Sequence, residues 1–216
     1  MKPSSSVKEK IIINSASIPF QILSSGDKIP IIGLGTFGSD SISSETIAKT
    51  VKKAIAGGYR HIDCASVYGN EKEIGIVLED LLQSGVIERE EIWITSKVWN
   101  DKHDHVVESC KQSLADLRLN YLDLYLVHWP FPNYHPPNCD VSSRSLNAKA
   151  YIHDDFMKTW RQMESLIEMG LVKNIGTSNM TRMICWKFRK LIKNVDLSKG
   201  RYFFGKKIKV GKIFGI

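Results

Sequence analysis

Cysteine is scarce in this chain. Cys64, Cys110, Cys139 and Cys185 are its only four, and no two stand in a C-x-x-C pair. That usage argues against a zinc site or a disulfide scaffold, and predicts free, reduced thiols in a cytoplasmic protein with no bound metal. Long apolar runs are missing too. Near the N-terminus Ile11-Ile12-Ile13 is broken at once by Asn14 and Ser15, too short for a signal core or a membrane span. Residues 1–17 are therefore expected to be a soluble leader, and no membrane partner is expected. No G-x-x-x-x-G-K-[ST] run occurs, and neither a P-loop nor a Rossmann phosphate site is expected.

Acidic residues are nearly absent from the C-terminal stretch. Residues 182–216 hold 11 Lys/Arg and one acidic residue, Asp196. Residues 1–181 carry 19 Lys/Arg and 22 Asp/Glu, so the net charge of +7 divides into a body near −3 and a tail near +10. This is a composition shift rather than a uniformly basic protein. The hydrophobic share of 43% is enough for a packed core.

What is present is a rhythm. Ile18 to Ile29 alternates around Ser24-Ser25-Gly26-Asp27 and predicts a β-hairpin. Short β-type runs then follow at 31–36, 60–63, 91–96, 122–127 and 171–177. Between them lie helical stripes: Ile47, Val51, Ala54 and Ile55; Ile74, Val77, Leu78 and Leu81; Val106, Cys110, Leu114 and Leu117; Phe156, Trp160, Met163 and Ile167. Asn70 with Glu73 predicts a capping box for the second helix. Residues 130–153, with four prolines, read as a long loop. The β-α alternation predicts a parallel sheet. It ends near residue 181, after about five strands. The inward positions are expected to be Ile- and Leu-rich: Ile62, Ile92, Ile94, Leu124 and Leu126.

Four chemically active side chains follow these strands: Asp63 and Tyr68, then Lys97, then His128. In a β/α barrel the C-terminal strand ends converge on one face, so the four could share one pocket. Reducing a carbonyl needs a hydride on carbon and a proton on oxygen. A tyrosine has an ordinary pKa of about 10, and a nearby ammonium favours its phenolate. Lys97 is the candidate cation, Asp63 its ion-pair partner, and His128 a group to orient the substrate oxygen. Singly, each has a plainer reading. Asp63 could cap a loop, Lys97 could be a surface charge, Tyr68 a half-buried aromatic and His128 a core histidine. Their joint order favours chemistry.

Gly58-Tyr59-Arg60-His61-Ile62-Asp63-Cys64-Ala65, with Glu71 and Ile74-Gly75 beyond it, resembles the N-terminal signature of the aldo-keto reductases. Lys97-Val98-Trp99, His128-Trp129-Pro130 and Gly176-Thr177-Ser178-Asn179 resemble further family motifs. In the last, Thr177 stands where an aliphatic residue is usual, and Met180 where an aromatic is usual. The resemblance runs over about residues 18–179 and implies a (β/α)8 TIM-barrel fold, here incomplete.

It further implies NADPH-dependent reduction of an aldehyde or ketone to an alcohol, with Tyr68 as proton donor and Lys97, Asp63 and His128 in support. Gly35, Thr36, Asp63, Ser178 and Asn179 would meet the nicotinamide end of NADPH. Phe37, Trp99, His128 and Trp129 would wall the pocket for a small carbonyl substrate. The last βα units of the family carry its phosphate site, and no residue here is assigned to it. The expected division is a leader (1–17), a partial barrel (18–181) and a divergent basic tail (182–216), as in a C-terminally truncated member. Residues 182–216 are too few for three βα units of about 30 residues each. The tail could add one irregular strand or helix, and the open edges could drive self-association. The other readings are a non-catalytic binding relative, and a tail whose charge and aromatics meet nucleic acid or an anionic membrane. Neither partner is expected, because basic clusters are more often simply solvated.

Overall fold

The computed structural model describes residues 18–38, 41–132, 146, 148–180 and 184, with the backbone of 202–204 and 209–211. The leader, most of the proline-rich loop, Cys139, Cys185 and the tail side chains lie outside the described residues.

The predicted hairpin forms from β1 (Phe20–Ile22) and β2 (Lys28–Pro30), paired antiparallel as Phe20↔Pro30 and Ile22↔Lys28. Then come β3 (Ile32–Gly35), α1 (Ser44–Ala56), β4 (His61–Asp63), α2 (Glu71–Gln83) and β5 (Trp93–Val98). They are followed by α3 (Val106–Leu117), β6 (Leu124–Val127), α4 (His153–Glu168) and β7 (Ile175–Thr177). Strands β3 to β7 are parallel neighbours in chain order. All four predicted helices are present, and each buries its predicted stripe except for Ala54, Val77 and Ile167, which are partly buried.

The tail departs from expectation. It supplies two strands, not one: β8 (Tyr202–Phe204) pairs parallel with β7, and β9 (Lys209–Gly211) pairs parallel with β3. The sheet order is β8-β7-β6-β5-β4-β3-β9. Both edges of the five-strand arc are thus paired. Three-residue strands suffice for this, because an edge needs backbone donors and acceptors rather than a complete βα unit. Within the described residues β8 and β9 do not pair with each other, so the sheet stays open.

The two faces of the sheet are sorted differently from the sequence reading. Ile62, Ile92 and Ile94 pack in the large cluster under the helices, with Val51, Leu78, Leu114 and Trp160. They face outward, not inward. Register explains it: Asp63 pairs with Thr95 and Lys97 with Leu126, so Asp63, Thr95 and Lys97 take the opposite face from Ile62 and Ile94. Leu124 and Leu126 do lie inside, with Trp93, Leu23 and Ile29. Leu23 and Ile29 belong to the hairpin, which plugs the N-terminal end of the sheet. Asn174 Nδ2 ties it down by donating to Asp27 Oδ2 at 2.9 Å and to the Asp123 carbonyl at 3.0 Å. His61 Nδ1 meets the Pro30 carbonyl at 3.2 Å, and Thr95 Oγ1 lies 3.0 Å from Nε2. Burial keeps His61 below its ordinary pKa. A neutral ring with Nδ1–H donates to Pro30 and accepts from Thr95.

Two local readings change. Asn70 precedes α2 but makes no side-chain cap; its Nδ2 donates instead to the Thr36 carbonyl at 2.8 Å. A buried amide is better used on a buried carbonyl than at a helix end. Gly33-Leu34-Gly35-Thr36-Phe37-Gly38 has G-x-G-x-x-G spacing, yet α1 begins only at Ser44. A Cβ at Gly33 would lie 2.9 Å from the His61 ring. Its small size admits His61; with Gly33 and Gly35 inside β3 and no helix opening until Ser44, the run lacks the strand–turn–helix form of a dinucleotide phosphate motif. Among the described residues no helix is long and apolar enough to cross a membrane.

Gly75 lets α2 lie against α3: a Cβ there would sit 2.1 Å from the Asp116 carbonyl oxygen and 2.8 Å from Leu117 backbone carbon. Backbone cannot move aside cheaply, so Gly75→Ala should destabilise by about 1–3 kcal/mol or more. A lowered urea midpoint at unchanged slope checks this. His103, 2% exposed, is held neutral by burial, its pKa lowered from 6.5 to about 4 despite Asp104. The unfolded chain binds the proton more tightly. His103 therefore contributes stability above pH 6.5 that is lost as pH falls toward 4, on the order of 3 kcal/mol at most. Urea unfolding across that window should show a flatter pH dependence in His103→Asn than in the parent.

Candidate active site

The strand ends deliver the candidate groups to the C-terminal side of the sheet. β4 ends at Asp63 and β5 carries Lys97, while His128 directly follows β6, and Ser178 and Asn179 follow β7. Tyr68 closes a 3-10 turn, Ser66–Tyr68, between β4 and α2.

The centre is the Lys97 ammonium. It is 5% exposed and lies 2.8 Å from Asp63 Oδ1, donates to the Cys64 carbonyl at 2.7 Å, and reaches the Tyr68 hydroxyl at 3.4 Å. A buried charge must be paired and hydrogen-bonded, and this one has three partners. Burial pulls the Lys97 pKa down, but Asp63 and Tyr68 outweigh it and leave it raised. Lys97 is therefore an ammonium at neutral pH.

Tyr68 differs from the simple expectation. Burial pushes its phenol above 10, and the opposing pull of Lys97 does not overcome that. The phenol stays protonated beside a cation. Its ring lies 5.2 Å from Phe37 and 5.8 Å, edge-on, from the His128 ring. Trp99 meets His128 edge-on at 4.9 Å. Tyr68, Lys97, Asp63, His128, Phe37 and Trp99 thus form one cluster. Phe37, 44% exposed, is its outer member, and Trp129 is half-buried next to His128.

Thr36 is fully buried. Both its backbone N–H and its hydroxyl donate to the Asp63 carbonyl, each at 3.1 Å, and Gly35 pairs with Asp63 across the sheet. The Ser178 N–H continues the ladder to the Val127 carbonyl at 2.9 Å. Asn179 Nδ2 donates to the His128 carbonyl at 2.8 Å and to Ser178 Oγ at 3.1 Å.

Sequence reasoning missed three supports. The Cys64 carbonyl holds Lys97, Ser66 Oγ donates to the Lys97 carbonyl at 3.2 Å, and Asn70 holds the Thr36 carbonyl. Only Asn70, two residues beyond Tyr68, carried a signal, and it pointed to a helix cap.

Comparison with known proteins shows the family. The family model described as Aldo/keto reductase family matches residues 31–198. The chicken (Gallus gallus) Aldo-keto reductase family 1 member A1 is 44% identical over 173 residues, 76% of this chain and 50% of that protein. The NADP-dependent D-sorbitol-6-phosphate dehydrogenase of Malus domestica is 41% identical over 73% of this chain and 51% of its own length. The aldose reductase structure from Schistosoma japonicum aligns with a TM-score of 0.69 at 44% identity, covering 80% of this chain and 56% of that one. The Bombyx mori aldo-keto reductase, solved in complex with NADP, gives a TM-score of 0.67 at 34% identity, covering 82% of this chain and 55% of that one. The chain spans about half the length of the curated relatives it matches, and its parallel sheet is an incomplete (β/α)8 barrel. This chain belongs to the aldo-keto reductase family.

Proposed function

We propose that this chain carries the proton-donating half of an NADPH-dependent reductase that converts an aldehyde or ketone to an alcohol. The observation that carries the reading is the Tyr68 hydroxyl, 3.4 Å from a Lys97 ammonium that Asp63 pairs at 2.8 Å. Ser178 and Asn179 fit the nicotinamide carboxamide by chemistry. Asn179 has spent its N–H groups and offers Oδ1 as acceptor, while Ser178 offers its hydroxyl as donor. Gly35, Thr36 and Asp63 would border the same end of the nucleotide. NADPH, when bound, supplies the hydride.

The chain's own residues do the rest. Phe37, Trp99 and Trp129 exclude water from the substrate carbonyl and bury its carbon framework. His128, edge-on to Trp99 and Tyr68, orients the carbonyl oxygen toward Tyr68. Tyr68 gives up its proton to that oxygen. The phenolate so formed lies beside the Lys97 ammonium, which stabilises it as charge develops. Asp63 and the Cys64 carbonyl keep Lys97 charged and in place. The free thiols of Cys64 and Cys110 fit a cytoplasmic location.

In a chimera completed with the remaining strands of a family relative, Tyr68→Phe should lower carbonyl reduction by about 10²–10⁴-fold, the range of general acid catalysis. Nucleotide binding should persist; a variant with near-parent turnover would remove Tyr68 as the donor. For the 216-residue chain itself, contacts are assigned only at the nicotinamide end, whereas charge-assisted bonds to phosphate are the strong ones. Fluorescence titration should show NADPH bound at least about 10²-fold more weakly than by a full-length relative, since each lost 1.4 kcal/mol is tenfold. Tight, NADPH-selective binding by this chain would contradict that.

A further inference from the structure

Asn179 sits in an unusual backbone conformation. Among the described residues only two non-glycine residues have positive φ, Arg118 at 55° and Asn179 at 56°. Arg118 is the C-cap of α3, an ordinary place for a left-handed residue. Asn179 ends no helix; it follows strand β7. Left-handed backbone costs about 1–2 kcal/mol for most residues and less for asparagine, so its persistence here needs a compensating contact.

That contact is the bond from Asn179 Nδ2 to the His128 carbonyl, 2.8 Å long. A carbonyl oxygen only accepts, which fixes the amide orientation: Nδ2 faces His128. The second Nδ2 hydrogen goes to Ser178 Oγ. His128 is then pinned through both backbone groups. Its N–H donates to the Val98 carbonyl at the end of β5, at 3.2 Å, and its carbonyl receives Asn179 from the end of β7. One side chain therefore ties the residue between Tyr68 and Trp99 to the next strand over.

We propose that Asn179 is a positioning residue for His128: through its amide bond to the His128 carbonyl, the end of β7 sets where the imidazole stands against Tyr68 and Trp99. The inference rests on the reading of His128 as the group that orients the carbonyl, but its test does not require turnover. An amide that both fixes His128 and presents Oδ1 to an incoming carboxamide couples the two ends of the site.

The test uses imidazole NMR of the 216-residue chain without nucleotide, with the His128 signals assigned by their loss in His128→Gln. Asn179→Gly keeps the left-handed backbone and removes the tie. Asn179→Asp keeps the shape and removes both donors. Both should shift or broaden the His128 ring resonances, while the other histidines stay in place. Ser178→Ala, which removes an acceptor of Asn179 and leaves the Asn179–His128 bond in place, should leave them unmoved. His128 signals unchanged in both Asn179 variants would overturn the proposal. So would loss of cooperative unfolding in Asn179→Gly, which would make Asn179 a folding residue. Reductase activity could fail for any other reason and leave this result standing.

Discussion

The buried Lys97 ammonium constrains everything around it. A cation with 5% of its surface exposed persists inside a protein only if its charge and its donors are met. Here Asp63 meets the charge, the Cys64 carbonyl takes a second donor, and Tyr68 takes a third at longer range. Those partners come from the end of β4 and the turn behind it. The backbone there must hold its shape, and Thr36 holds it with two bonds to the Asp63 carbonyl while Asn70 in turn holds Thr36. The buried Thr36 and Asn70 thus belong to the chain of hydrogen bonds that holds the partners of this desolvated charge in place.

The same charge separates two kinds of burial. On the helix side of the sheet, Ile62, Ile94, Tyr125 and Val127 are covered by apolar stripes, and packing is dense enough that Gly75 must lack a side chain. On the inner side, Thr95, Lys97, His61 and Asp63 need specific partners, and among the described residues Leu124, Leu126 and Trp93 form a hydrophobic cluster under the hairpin. The hairpin closes the N-terminal end of the sheet through Asn174 and Asp27, and the candidate site lies at the C-terminal end. This division of a plugged end and a candidate-site end follows from the parallel sheet, whose strands all point one way.

Half a barrel raises the question of edges. An arc of five parallel strands would leave two rows of unpaired backbone groups, and short tail strands occupy both. Composition concealed this. The tail's lysines read as a solvated or anion-binding run, and the flanking segments lack the stripe of a βα unit. A three-residue edge strand needs no helical stripe beside it to pair its backbone groups. Pairing was decided by the backbone groups that the arc left unsatisfied.

The sequence by itself determined the helices, the order of the strands and the titratable residues that gather at the candidate site. Each of these is written locally: in stripes at 3.6-residue spacing, in short β-type runs, and in charged or aromatic residues placed just after them. Asp63, Tyr68, Lys97 and His128 were legible for that reason. Tertiary structure alone decided the rest. It chose which face of β4 and β5 turned inward, because register depends on the neighbouring strand. It turned Asn70 from a helix cap to a clasp on Thr36, and bent Asn179 back onto His128, because the acceptors they reach lie 34 and 51 residues away in the chain. It also set the balance at Tyr68, where burial outweighs the ammonium. Desolvation is a property of everything that surrounds a group, and no spacing along the chain records it.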